Sequence, residues 1–538
     1  MKNISKPTKI GLLTLPFMAL NSIAAELPLA VSDDTFLAKT VAKRDNLAPS
    51  IERVEEQKLT AAKLENAKNK YGSKPNIVLI LLDDVAYGDF GVYGGGNTVG
   101  AATPNIDAIA NQGLQLNNAY SQPSCTPTRA TIMTGQLPIR TGLLRPMLPG
   151  EGTTGIGLDK TSTLPQKLSN AGYTTQMVGK WHLGTFKEAQ PQNVGFDHYY
   201  GILTSSDDYT AWNEQWRNPD LIHDKARNEW AKEGEIMSIV EGSRGEEARK
   251  VSPIDMESIR FVDEKLTSKA TDFIASQEDT DKPFFLYYAT RGAHNDNYPH
   301  PDFIGKSKSK YPYKDVIVEL DHRIGEIKSS LKEAGKLDNT LFIITSDNGP
   351  FVEAFPDSGV TPFRGAKGTS YEGGVRVPTI AYWPGMIKPG QVSDGLFDLT
   401  DIYATALSVA GASDLLPTDR YIDSIDQSAF LLTENGKSHR REIFYWASNA
   451  LMGVRIAEYK FMVKDQSFEF TDTWPKSSPF QSTVTDSLYG GKLFNLHIDP
   501  QERYAMTPLK QPHAPVLMQA INKHLKTFVD YPPAIKIK

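Results

Sequence analysis

Asn76-Ile77-Val78-Leu79-Ile80-Leu81-Leu82 runs straight into Asp83-Asp84, with Tyr87-Gly88-Asp89 and Gly91 close behind. An unbroken apolar run of this length, ended by acidic residues and glycine, has the pattern of a strand covered on both faces. Successive strand side chains point to opposite faces, so Asp83 and Asp84 converge only where the chain turns, and the nearby glycines allow a turn. The carboxyl ends of parallel strands are also where open α/β sheets place ligands.

Working outward, further strands are expected over 174–178, 284–288, 341–345 and 379–382, with helical patterns at 163–171 and 315–334. Strands alternating with helices predict an α/β domain built on a large, mainly parallel sheet sandwiched by helices. The character changes after about residue 435. Short strands are expected at 442–447, 452–456, 459–463 and 492–496, then a closing helix at 515–529. This reads as a smaller C-terminal α+β domain. The expected division is a leader at 1–25, a polar helical extension at 26–73, the large domain at 74–434 and the small one at 435–538.

The 538 residues exceed what one core comfortably serves, which agrees with two domains. A formal net charge of −6 gives no general attraction to nucleic acid, so an anionic ligand needs a local basic pocket. Lys2, Lys6 and Lys9 precede an apolar stretch from 10 to 25 that ends in small residues, the pattern of an export signal. It is short for a membrane span and is broken by Pro16 and Asn21. No cysteine sits near the cleavage site to carry a lipid. The expectation is an exported protein, periplasmic or secreted, with no integral membrane anchor.

Cys125 is the only cysteine of the chain. One thiol in an exported protein closes no internal disulfide, so it is either inert or chemically active. It opens Cys125-Thr126-Pro127-Thr128-Arg129, and Pro127 suits the first turn of a helix that Ala130-Thr131-Ile132-Met133 continues. A helix N-terminus favours negative charge, and Arg129 lies four residues on, with its guanidinium expected to point back toward the sulfur. This places a nucleophile in an anion cradle; the bland alternative is a buried structural thiol.

Asp347-Asn348-Gly349 follows the strand at 341–345, much as Asp83-Asp84 follows the first. Asp-Asn-Gly alone is an ordinary turn. Together the two pairs offer hard oxygen ligands that suit Ca²⁺ or Mg²⁺ and not zinc. Lys180 and His182, in Gly179-Lys180-Trp181-His182-Leu183-Gly184, share one face if the segment is extended. His294 closes Thr290-Arg291-Gly292-Ala293-His294, and Lys367 follows Phe363-Arg364-Gly365-Ala366. Each has a solvated or structural alternative, yet all recur after strand ends, on what could be one rim.

These residues together resemble the formylglycine-dependent type I sulfatases of the alkaline phosphatase superfamily, from about residue 74 to the C-terminus. The resemblance rests on the runs above, on Thr103-Pro104-Asn105-Ile106-Asp107, Gly365-Ala366-Lys367-Gly368 and Tyr371-Glu372-Gly373-Gly374-Val375-Arg376-Val377-Pro378. Leu493-Phe494-Asn495-Leu496 with Asp499-Pro500 and Glu502 adds to it. Cys-x-Pro-x-Arg with Thr131 and Gly135 matches the signal read by the formylglycine-generating maturation enzyme. The resemblance implies that Cys125 becomes formylglycine (3-oxoalanine), whose hydrate is the nucleophile. It implies a metal, Ca²⁺ more than Mg²⁺, on Asp83, Asp84, Asp347, Asn348 and residue 125. Arg129 would hold the diol, Lys180 and Lys367 would neutralise the sulfate oxygens, and Lys367 with His294 would protonate the leaving oxygen. His182 would then deprotonate the second hydroxyl. A substrate-contacting serine is expected at Ser205, with Ser206 an adjacent rival.

Residues 205–260 read as a long polar insertion carrying Trp212, Trp216 and Trp230, residues that either stack on sugar rings or anchor the loop. Export and this insertion point to a sulfated small molecule or oligosaccharide as substrate. The rival readings are a phosphonate or phosphate ester hydrolase with the same nucleophile and a non-catalytic protein that binds sulfated glycans.

Overall fold

The structure, a computed structural model, describes residues 33–147, 155–157, 162–205, 238–352, 356–467, 483–486 and 490–537. The expected leader at 1–25, Ser206, Trp212, Trp216 and Trp230 lie outside the described residues.

A ten-stranded sheet organises the large domain. Its strands in chain order are β1 (Asn76–Leu82), β2 (Leu114–Tyr120), β3 (Thr174–Lys180), β4 (His198–Ile202), β5 (Ser238–Ser243), β6 (Arg249–Pro253), β7 (Phe284–Ala289), β8 (Thr340–Ser346), β9 (Arg376–Tyr382) and β10 (Gln391–Asp398). Across the sheet they lie in the order β10-β2-β9-β8-β1-β7-β3-β4-β5-β6. The middle strands β8, β1, β7, β3 and β4 run parallel to one another, as expected. The margins are mixed. Strand β9 runs antiparallel to both β8 and β2, and β5 and β6 continue the other edge antiparallel.

Every residue of β1 is buried, and its alternation sorts the two sides of the sheet. Ile77, Leu79 and Leu81 join one apolar cluster with Ala130, Ile132 and Met133 of α3 (Cys125–Thr134) and Leu407 of α7 (Asp401–Val409). Val78, Ile80 and Leu82 join the other. That second cluster contains Ile106 of α2 (Pro104–Asn111), Leu266 of α5 (Val262–Ala275) and Val316, Leu320 and Ile324 of α6 (Pro312–Glu333). Each fully buried aliphatic side chain contributes roughly 1.5–3 kcal/mol. The helix expected at 163–171 is α4 (Leu164–Asn170).

Strands β2, β4, β5, β6 and β10 carried no clear signal. In β2 the burial alternates past Gln115 and Asn117, so its sequence reads half polar. The stretch 205–260, read as one polar insertion, in fact contributes β5 and β6 to the sheet. The extension at 26–73 holds α1 (Val54–Tyr71) and a short ladder pairing Thr40–Val41 with Ser50–Ile51. It is stitched to the large domain, with Asn46 Nδ2 donating to the carbonyls of Pro417 and Arg420 at 2.8 and 2.7 Å.

Beyond it, β11 (Glu442–Ala447), β12 (Ala450–Ile456), β13 (Tyr459–Met462) and β16 (Lys492–Asn495) form an antiparallel sheet. A separate hairpin pairs β14 (Lys464–Ser467) with β15 (Thr483–Asp486). One face packs on α8 (Ala514–Asp530), whose Leu517, Ala520, Ile521, His524 and Phe528 follow helical spacing. Tyr445, Met452 and Phe494 pack instead against Tyr120, Val375 and Leu396 of the large domain. Among the described residues no helix is long and apolar enough to cross a membrane.

Candidate active site

The register of the parallel strands builds one rim. Leu82 pairs with Ser346, Leu81 with Ala289, and Ala289 with Gly179. The residues that follow these positions, Asp83, Asp347, Thr290 and Lys180, therefore emerge side by side. Asp84 takes a left-handed φ of 58°, the turn that brings its carboxylate round to the same place as that of Asp83. His182 likewise has φ 59°, so the segment after Lys180 bends where an extended run was expected.

Helix α3 plugs onto this rim with Cys125 as its first residue. Thr128 Oγ1 donates to the Asp347 carbonyl at 2.7 Å, and Thr126 Oγ1 donates to the His182 carbonyl at 2.8 Å. The Arg129 guanidinium donates to Asp347 Oδ2 at 3.2 and 2.9 Å and to the Lys180 carbonyl at 2.6 Å, so it clamps two strand ends, and it interacts electrostatically with Cys125. Gly135 ends the helix at φ 68°, where a Cβ would stand 2.7 Å from the Tyr403 ring.

Every described residue expected at the site converges there. Lys180 Nζ lies 2.5 Å from Asp83 Oδ2 and donates to Ser205 Oγ at 3.1 Å. Ser205 Oγ is 3.4 Å from His294 Nε2, and Lys367 Nζ donates to that same nitrogen at 3.0 Å. Lys367 also sits 2.8 Å from Asp84 Oδ1, and Asn348 Nδ2 donates to Asp84 Oδ1 at 2.6 Å. His182 Nε2 meets the Met147 carbonyl at 2.9 Å, while its buried Nδ1 has no partner.

Burial and charge set the protonation states. Burial pushes the Cys125 thiol up to about 12 despite Lys180 and Lys367, so the cysteine itself is neutral and the anion expected of a helix N-terminus does not form on sulfur. Burial works against charge on Asp83, but Lys180, His294 and Arg129 hold it well below the usual carboxylate range. Asp347 goes the other way, pushed to about 7 by burial and by the Asp83 charge. Burial and then Lys180 depress His182, and burial and then Lys367 depress His294, leaving both imidazoles neutral.

Donor atoms of Asp83, Asp84, Cys125 and His294 lie within 4.8 Å of one another. Asp83 Oδ2 is ion-paired with Lys180 and Arg129, yet among the described residues neither Asp83 oxygen accepts a directed hydrogen bond, and Asn348 Oδ1 is buried with no partner. Orphaned hard oxygens beside several carboxylates fit a hard divalent cation of the Ca²⁺ or Mg²⁺ type.

Residues 75–412 match the family model described as Sulfatase, and residues 438–536 match the C-terminal region of aryl-sulfatase. The chain belongs to the sulfatase family. It is 32% identical over 490 residues to N-acetylgalactosamine-6-sulfatase of Canis lupus familiaris, covering 86% of this chain and 88% of that protein. Arylsulfatase A of Homo sapiens is 33% identical over 462 residues, covering 84% and 86%. The crystal structure of the PsFucS1 sulfatase from Pseudoalteromonas sp. superposes with a TM-score of 0.86 at 39% identity, covering 93% of this chain and 99% of that one. The protein is thus a sulfuric ester hydrolase.

Supports of the sulfatase site that the sequence did not announce surround Asp84. Asp89 Oδ2 accepts from Tyr313 Oη at 2.6 Å and from the Ala86 N–H at 2.8 Å, and Lys314 reaches Asp89 Oδ1 at 2.8 Å. Tyr313 Oη also lies 3.2 Å from the Asp84 carbonyl. Asp89 was visible only as part of a turn, and Tyr313 and Lys314 carried no signal on their helix. Phe351 stacks on His294 with ring centroids 6.4 Å apart and was likewise unmarked.

Proposed function

We propose that this sulfatase desulfates a carbohydrate, using residue 125 matured from cysteine to formylglycine and a divalent cation, Ca²⁺ in preference to Mg²⁺. The observation that carries the reading is the convergence of Cys125 with Asp83, Asp84 and His294 within 4.8 Å, at the start of a helix. A thiol pushed to about 12 is a poor nucleophile at neutral pH, which favours conversion to another group. Formylglycine, hydrated, supplies one hydroxyl to attack sulfur and a second whose deprotonation releases sulfate, a route closed to a serine alcohol. The cation would sit on Asp83, Asp84, Asp347, Asn348 and residue 125 and supply Lewis acidity.

The side chains divide the remaining work. Arg129, fixed on Asp347 and the Lys180 carbonyl, keeps the ligand set in place. Lys180 and Lys367 balance the charge of the sulfate oxygens, as preorganised cations do for a transferring anion. Lys367 and His294, 3.0 Å apart, deliver the proton to the leaving oxygen. His182 donates through Nε2 to the Met147 carbonyl, which leaves a free Nδ1 lone pair to take the proton of the second hydroxyl. Ser205, between Lys180 and His294, contacts the substrate.

A sugar substrate is supported by the relative named for N-acetylgalactosamine-6-sulfate ester cleavage and by the tryptophans of 205–260. Cys125 is 1% exposed, so the maturation enzyme must act before folding is complete. Export to the periplasm or medium and the division at 74–434 and 435–538 belong to the same reading. Mass spectrometry of the peptide spanning residue 125, with sulfate release from defined sulfated oligosaccharides, tests it. An aldehyde or its hydrate at 125 and desulfated sugar are expected, and Cys125→Ser should accumulate a sulfate ester. Unmodified cysteine at full activity overturns the nucleophile. Preference for matched phosphate esters supports the phosphatase alternative, and binding without release supports the non-catalytic one.

A further inference from the structure

Lys367 enters the site on a loop with no regular structure, between Arg364 and Glu372, so its position depends on where the loop's backbone groups are tied. The large domain holds one side of it. The Lys367 N–H donates to the Pro350 carbonyl at 3.0 Å and the Gly368 N–H to the Pro123 carbonyl at 2.6 Å, linking Lys367 to the Asp347 loop and to the nucleophile loop.

The other side is held from the C-terminal subdomain. Gln466, on β14, accepts from the Ser370 N–H at 2.8 Å and donates through Nε2 to the Gly368 carbonyl at 2.9 Å. Tyr371 Oη donates to the Gln466 carbonyl at 3.1 Å. Lys460 Nζ, on β13, donates to the Ser370 carbonyl at 2.8 Å, and Glu502 accepts from the Glu372 N–H at 2.8 Å. A primary amide is the side chain that offers a donor and an acceptor side by side, which is what spanning a carbonyl and an N–H two residues apart requires. The bridge matters because the loop has soft joints: Gly365 and Gly368 have φ of 81° and 86°, and no atom lies within 4 Å of where a Gly368 Cβ would be. Gln466 itself is buried, 5% exposed.

We infer that Gln466 is a positioning residue for Lys367, so that the C-terminal subdomain sets the geometry of leaving-group protonation in the large domain. This rests on the reading of Lys367 as the group at the leaving oxygen. Its consequence is selective. A misplaced Lys367 matters most when the departing oxygen needs a proton and least when it leaves readily as an anion.

The test compares kcat on 4-nitrophenyl sulfate, a good leaving group, with kcat on phenyl sulfate, a poor one, in the matured enzyme. Gln466→Leu should lower kcat on phenyl sulfate by roughly tenfold, with at most a twofold change on 4-nitrophenyl sulfate. In a Lys367→Ala background the same substitution should add nothing, since its route of action is gone. If the leucine variant does not fold, Gln466→Glu, which keeps the acceptor for Ser370 and loses the donor to Gly368, is measured by the same two comparisons. Equal losses on both substrates, no loss on either, or a loss that persists without Lys367 overturns the positioning role. Should Lys367→Ala itself show no dependence on the leaving group, the assignment of Lys367 falls and the role of Gln466 with it; a selective Lys367→Ala beside a flat Gln466→Leu removes the role of Gln466 alone.

Discussion

Two clusters of buried charge, joined by residues 367–372, are built to opposite ends. At the strand rim Asp83, Asp84 and Asp347 face Arg129, Lys180 and Lys367. At the junction of the two sheets Glu372 and Glu502 face Lys460, Arg455 and Arg376. At the junction Glu372 is well satisfied: it accepts from Tyr120 Oη at 2.6 Å, Tyr445 Oη at 3.0 Å and Lys460 Nζ at 3.1 Å. Its neighbour Glu502 is ion-paired with Lys460 at 2.8 Å, and its buried Oε1 accepts no directed hydrogen bond among the described residues. The rim is open: among the described residues Asp83 accepts no directed hydrogen bond, and Asn348 Oδ1 and His182 Nδ1 have no partner. Equal burial therefore serves different purposes. A carboxylate with its hydrogen bonds made, such as Glu372, fixes how two domains dock, and a rim with several orphaned acceptors keeps binding capacity for ions and substrate.

The sharpest way to break this comparison is at the nucleophile. Cys125→Ala should abolish sulfate release, by about four orders of magnitude or more, while the unfolding temperature stays near that of the unsubstituted chain. Release of 4-nitrophenol from its sulfate and a thermal melt measure the two halves. The junction should behave inversely. Glu372→Gln leaves Arg455 without its charge partner and Lys460 with Glu502 alone, and should cost about 3–5 kcal/mol of stability, read from denaturant titration. Loss of less than about 1 kcal/mol would mean the cluster is not structural.

Stripping divalent ions with a chelator should lower activity about a hundredfold or more, with Ca²⁺ restoring it better than Mg²⁺. The same treatment should leave the junction intact, seen as unchanged near-ultraviolet dichroism from Tyr120 and Tyr445. Acid gives the smallest and most diagnostic effect. Burial alone would raise the Glu372 carboxyl, but Lys460, Arg455 and Arg376 hold it down at about 2, against an ordinary 4.5. A depressed carboxyl stabilises the fold fully above 4.5 and loses that contribution as pH falls toward 2. Burial raises Glu502 instead, so its contribution fades as pH rises above 4.5, outside the window in which Glu372 loses its own. Stability should therefore fall less steeply between pH 4.5 and 2 in Glu372→Gln than in the unsubstituted chain.

Legibility followed the strength of the local pattern. Strands β1, β7 and β8 are continuous apolar runs, and the residues just past their ends converge on one rim. By contrast β2 and β10 carry polar residues between apolar ones and gain their place from neighbours distant in sequence. Arg129 was identified, but its clamp on Asp347 was not, because helical spacing gives its face and says nothing of a residue 218 positions away. Tyr313 and Gln466 carried no sign at all and Asp89 showed only as part of a turn, since what they do depends on hydrogen bonds across long stretches of chain.

What the amino-acid order determined alone is the set of chemical parts: one cysteine before a proline-led helix, acidic pairs after two apolar strands, and lysines and histidines after others. Apolar periodicity and turn residues are local properties, so they can be read locally. The tertiary structure decided which of those parts meet, which carboxylates stay unsatisfied and which domain steadies Lys367. Those outcomes depend on strand register and on burial, and both arise only when distant segments pack.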